Sequence, residues 1–198
     1  MSSTLLESLG PLLQGDTTRQ VSRQLGIDEA RAGTAVQAAV PLLVGALQRQ
    51  TSSPAGRDSL AAALDRDHDG SILDDIGGFL GGGGTAAGDG ILGHVLGGRR
   101  DNVAASLGRS TGLDAGRAMQ LLAMLAPLVM GALGRAKRQT PSGGGLADIL
   151  GGATRQMDQT SPGLASSLGR MLDADGDGSP VDDLARMAGT LGSLFGKR

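Results

Sequence analysis

Pro41-Leu42-Leu43-Val44-Gly45-Ala46-Leu47-Gln48-Arg49 returns 86 residues later as Pro127-Leu128-Val129-Met130-Gly131-Ala132-Leu133-Gly134-Arg135. The match starts upstream, at Gly26-Ile27-Asp28 and Gly112-Leu113-Asp114, and it keeps Arg31/Arg117 and Ala32/Ala118 identical. Each copy opens on an aspartate suited to cap a helix. Each then turns apolar on nearly every face, which places the helix in the middle of a fold. The proline removes one backbone hydrogen bond and predicts a kink at the same place in both copies. Such repetition implies two similar helical units packed about an approximate two-fold axis. The predicted fold is all-α, a duplicated multi-helical unit.

Outward from these helices, the first repeat spans 1–84 and the second 85–198. Asp16 or Thr17 caps a helix that ends near Leu25-Gly26. Leu60–Leu64 and Leu164–Leu172 read as helices that lead into two aspartate-rich loops, 65–76 and 173–184. Ile76, Phe79 and Leu80 begin the helix leaving the first loop. Leu184, Met187, Ala188, Leu191, Leu194 and Phe195 form an apolar stripe leaving the second. The loops lie 108 residues apart, so the second copy carries 22 additional residues, chiefly around Gly143 to Thr160. Gly77 to Gly84, followed by Gly88-Asp89-Gly90, reads as a flexible linker between the repeats. No Lys-Ser or Lys-Thr follows these glycines and no strand precedes them, so they are not a phosphate-binding loop.

The loops carry the chemistry. Asp65, Asp67 and Asp69 stand at positions 1, 3 and 5, Gly70 at 6, Ser71 at 7, and Asp74 and Asp75 at 10 and 11. The second loop repeats this with Asp173, Asp175, Asp177, Gly178, Ser179, Asp182 and Asp183. Alternating carboxylates, a glycine for the sharp turn, a serine carbonyl and a closing acid make the oxygen cage that calcium takes. Position 12 is Ile76 or Leu184 rather than glutamate, so these are shortened, EF-hand-like loops closed by one of the paired aspartates. The same pairs would also cap the outgoing helix without any metal. Five aspartates within about eleven residues repel one another when not neutralised, which favours Ca2+ as the cofactor.

Charge divides along the same line. The chain has 18 basic and 20 acidic residues, a formal net charge of −2. Ten of those acids sit in the two loops, which leaves the remainder at +8, and two bound calcium ions would bring the whole to +2. With 35 glycines, two phenylalanines, no tryptophan, no tyrosine and no cysteine, the core must be built from aliphatic residues and close helix contacts. Disulfides and thiolate chemistry are excluded.

Other function classes find little. His68 sits at position 4 of the first loop, facing water, and His94 falls in an apolar, glycine-flanked helix as a partly buried packing residue. Neither has a nucleophile or acid at catalytic spacing, so the chain is not expected to be an enzyme. Val21 to Asp28 resembles the turn of a helix-turn-helix, the alternative reading as a nucleic-acid binder. The following helix presents Asp28 and Glu29 where base and phosphate contacts need cations or amides, which argues against it. The apolar runs Ala35–Leu47 and Ala118–Leu133 fall short of the roughly 20 residues that cross a bilayer, which argues against insertion. Gly196-Lys197-Arg198 after the terminal stripe keeps a second alternative, association with an anionic membrane surface. The stripe itself is the candidate contact for a protein partner. The first residues lack a basic and apolar leader, so the expected compartment is the cytoplasm.

The repeated Gly-aliphatic-Asp start, the Pro-aliphatic-aliphatic-x-Gly-Ala-Leu helix, the segment Ile91-Leu92-Gly93-His94-Val95-Leu96-Gly97 and the Asp-rich loops together resemble a bacterial family. It is the one known as domain of unknown function 937, to which the YidB-like proteins are related. The resemblance runs from about Leu5 to Phe195. It implies an all-α duplicated fold in a bacterial protein and no particular activity.

Overall fold

A computed structural model of the chain describes residues 4–13, 15–67, 70–82, 85–140 and 145–160, and these form helices joined by short turns, with no strand among them. In order they are α1 (Thr4–Leu9), α2 (Gly15–Leu25), α3 (Glu29–Gln50), α4 (Pro54–Asp67), α5 (Ile76–Gly81), α6 (Thr85–Leu96), α7 (Arg100–Thr111), α8 (Ala115–Gln139) and α9 (Leu146–Thr160). Short 3-10 turns follow α1 and α6, and a third, Ser71–Asp74, precedes α5.

The two proline-containing helices begin in the same way. Gly26 (φ 62°) and Gly112 (φ 72°) turn the chain in the left-handed region ahead of each. Asp28 then accepts from the Arg31 backbone N–H at 2.8 Å, and Asp114 from that of Arg117 at 2.9 Å. Each carboxylate thereby satisfies an N–H group that the first helical turn leaves without a partner.

Apolar patterning then decides depth. In α8 every residue from Leu121 to Gly134 is buried, so α8 is the central helix. α3 buries ten residues, from Ala32 to Leu47, and packs against α8. Around this pair, α1, α6 and α7 lie on α8, while α2 and α9 lie on α3. One continuous aliphatic core results, running from Leu5 in α1 to Ala153 in α9. Leu42, Leu122, Leu125 and Leu128 are among its fully buried side chains, each contributing roughly 2 kcal/mol by removal from water.

The structure departs from the sequence expectation in three places. The glycine-rich stretch is largely helical rather than a linker: Gly77, Gly78 and Gly81 belong to α5, and Gly88 and Gly90 to α6. Asp75 caps α5, Leu80 is buried, and Gln24 Nε2 donates to the Leu80 carbonyl at 2.8 Å. Gly88 sits at a helix crossing, where a Cβ would collide with the Ala123 carbonyl oxygen. The additional residues of the second copy form α9, whose Leu146, Ile149, Leu150 and Ala153 are buried. Finally, α3 and α8 are longer than their apolar runs. By length and composition alone both are long and apolar enough to cross a membrane, yet 61% and 78% of those windows are buried within the chain's own fold, as central core helices are.

Candidate functional site

α4 leads into the first aspartate loop and α5 leads out of it. At the loop's sixth position Gly70 adopts φ 87°, ψ 0°, a left-handed conformation that other residues strongly resist. The Ser71–Asp74 turn follows, with Leu73 buried beneath it. Asp75 then accepts from the Gly78 N–H at 2.8 Å and so caps α5.

The loop rests on the last turns of α8. Gly131 lies so close that a Cβ there would meet Ile72 Cγ2 at 2.5 Å, and a Cβ at Gly70 would meet the Gly131 carbonyl oxygen at 3.0 Å. Arg135 reaches back from this contact. Its Nη2 donates to the Gly70 carbonyl at 3.0 Å and also pairs with Asp74. Two residues onward, Lys137 Nζ donates to Asp65 Oδ1 at 2.7 Å. Both carboxylates are largely exposed, at 72% for Asp74 and 68% for Asp65, so each pair contributes about 0–1 kcal/mol. Their larger effect is positional: they tie the two ends of the loop to a helix of the other half of the chain.

Of the residues expected to bind metal, Asp65, Ser71, Asp74 and Asp75 are placed with their side chains. Asp65 and Asp74 turn to the cations of α8, and Asp75 turns to its helix cap. The side chain of Asp67, and all of His68 and Asp69, lie outside the described residues. So do Asp173, Asp175, Asp177, Ser179, Asp182, Asp183 and the stripe Leu184–Phe195. Among the described residues no three His, Cys, Asp or Glu side chains converge as a metal-binding group. Arg135 and Lys137 were not anticipated as partners of the loop. The available signal was the repeat itself, which holds arginine at both 49 and 135, beside a glycine four residues before each.

Among the described residues, grooves open at several places on the surface. One of about 440 Å³ separates the loop from α2 and mixes Asp16, Asp74 and Asp75 with Arg19 and Arg23. A second, of about 580 Å³, runs between α4, α6 and α8 over Leu60, Ile91, Val95 and Met130. A third, of about 300 Å³, lies at the C-terminal end of α3 and is lined by Ala46, Arg49, Gln50, His94, Leu96 and Arg99. His94 is exposed there rather than packed, because α6 turns its Leu92 and Leu96 inward instead.

The turn between α2 and α3 is built by local bonds: the Ile27 N–H donates to the Ser22 carbonyl at 3.1 Å, and Ser22 Oγ donates to the Ile27 carbonyl at 2.6 Å. The outward stripe of α3 carries Ala30, Arg31, Thr34 and Gln37. Its one cation is paired with Asp28 at 3.7 Å, which leaves little for the phosphate contacts that dominate DNA affinity.

The family model described as bacterial protein of unknown function (DUF937) matches residues 7–136, and the chain belongs to that family. The matched span includes the first aspartate loop, all of α3 and α8 as far as Ala136. It stops short of α9 and the second loop, so it is narrower than the resemblance drawn from the sequence. No curated protein and no solved structure matches the chain.

Proposed function

We propose that this DUF937 chain is a calcium-binding helical module. Asp65, Asp67, Asp69, the Ser71 carbonyl and one of Asp74 and Asp75 would hold one ion. Asp173, Asp175, Asp177, the Ser179 carbonyl and one of Asp182 and Asp183 would hold another. The observation that carries the reading is Gly70, left-handed at φ 87° in the sixth position of a loop between two helices. A calcium loop of this type needs its sharp turn at that position. The turn at Gly70 is what supports the reading. The carboxylates fit in composition, and two of them already hold cations, Lys137 and Arg135.

Binding would order the two loops and fix the helices that flank them. The matched Gly-Asp starts of α3 and α8 support reading the chain as two copies of one unit, each followed by such a loop. The role is structural or partner-binding, with the terminal stripe as the surface that would meet a protein. Calcium titrated into chelator-stripped protein by calorimetry tests this, with magnesium as control and Asp65→Ala and Asp173→Ala alongside. Two binding events, each lost with its own substitution, is the expected result. No heat and no gain in stability up to millimolar calcium would leave the loops as ion-paired helix caps and overturn the reading.

A further inference from the structure

We propose that the segment 173–183 docks on the C-terminal end of α3, with Gly178 against Gly45 and Asp182 paired with Arg49. The inference needs no metal and stands apart from the calcium reading. It starts from what the first loop does. Gly70 lies against Gly131, and Asp74, four residues beyond Gly70, pairs with Arg135, four residues beyond Gly131. The same residues recur at the same spacing in the other copy: Gly178 and Asp182 in the second loop, Gly45 and Arg49 in α3. Pro41, Leu42, Ala46 and Leu47 of α3 are also identical to their α8 counterparts, so the receiving surface is repeated as well. Since the first loop crosses from its own half to the central helix of the other, the repeat sends the second loop to α3.

Charge and reach agree. The groove at that end of α3 carries Arg49 and Arg99 and no acid among its lining residues. Residues 173–183 hold five aspartates and no base. Such complementarity favours this surface over one of mixed sign. α9 packs along α3, where Thr154 Oγ1 donates to Gln48 Oε1 at 2.8 Å, so the chain passes beside its destination six residues before Thr160. The twelve residues between Thr160 and Asp173 span about 18 Å as helix and about 40 Å extended. The copies differ at one point: Lys137, which holds Asp65, has Thr51 as its counterpart, so the docked second loop has one cation fewer from its receiving helix.

Because the chain has no cysteine, cross-linking gives a clean test. Arg49→Cys with Asp182→Cys, in chelator, is treated with a short bis-maleimide, and Arg135→Cys with Asp74→Cys serves as the positive pair. An intramolecular product from both pairs is expected. A product from the positive pair alone, or a product linking two chains through residues 49 and 182, overturns the proposal. Hydrogen exchange on the cysteine-free chain gives a second readout. Arg49→Glu should speed exchange across 173–183 on the order of tenfold and leave α8 unchanged. Equal rates in the two proteins overturn the docking.

Discussion

Gly70 concentrates the demands of the first loop in one residue. Its φ of 87° costs an L-residue roughly 1–2 kcal/mol. A methyl group would also press on the Gly131 carbonyl oxygen and Arg135 Cβ, each 3.0 Å away. Gly70→Ala should therefore lower stability by about 2 kcal/mol in urea unfolding, whether or not calcium is present. Gly131→Ala should cost about 1–3 kcal/mol, because its methyl group would meet Ile72 Cγ2 at 2.5 Å, a branch carried on Cβ that moves only if a stiff χ1 changes. Asp114 gives a prediction of another kind. The hydrogen bond from the Arg117 N–H, aided by the Arg117 charge, holds its carboxyl below the ordinary aspartate range. A lowered folded pKa contributes stability that is present above the unfolded value of about 3.9 and is lost as pH falls through the folded one. Asp114→Asn keeps a good capping side chain and removes the titration. Its melting temperature should match the parent near neutrality and fall less steeply than the parent's below about pH 4.

At the scale of the element, the glycines of α6 argue for close packing. Gly88→Ala would drive a methyl group into the Ala123 carbonyl, a backbone atom of the central helix that cannot swing aside. The helices must then part, at a cost of about 3 kcal/mol or more, read from the urea midpoint. Gly93→Ala on the same helix meets open space and should be neutral or mildly stabilising. This contrast also shows why part of the fold was legible and part was not. α2, α3 and α8 announce themselves through caps and apolar period, all local signals. The glycines of α5 and α6 suggest coil until the crossing partner is known, and Ala123 lies far along the chain. α9 was legible in principle: Leu146, Ile149, Leu150 and Ala153 keep helical spacing inside what looked like an insertion. The calcium residues were named from spacing, but their neighbours Arg135 and Lys137 come from 61 and 72 residues away, beyond any local pattern.

Across the whole molecule, the two halves are not separable bodies. The apolar face of α3 is closed by α8 and α9 from the second half, and α8 is covered by α1 from the first. The first loop is likewise anchored by Arg135 and Lys137, both beyond the glycine-rich stretch. A fragment ending at residue 82 would keep α3 and expose the surface that α8 and α9 cover. It would also leave Asp65 and Asp74 without their cations. Too little apolar area would remain to offset the entropy of ordering such a short chain. The fragment should show weak helicity by circular dichroism, no cooperative melt and binding of a hydrophobic dye. The intact chain should melt in one transition followed equally by helicity and by a probe on α9. A cooperative melt from the fragment would mean that each half folds alone, and that the contacts of the loop with α8 join two finished units. A fold built by interdigitation instead makes loop docking and core formation one event, so a ligand that reorders the first loop would be felt at α8.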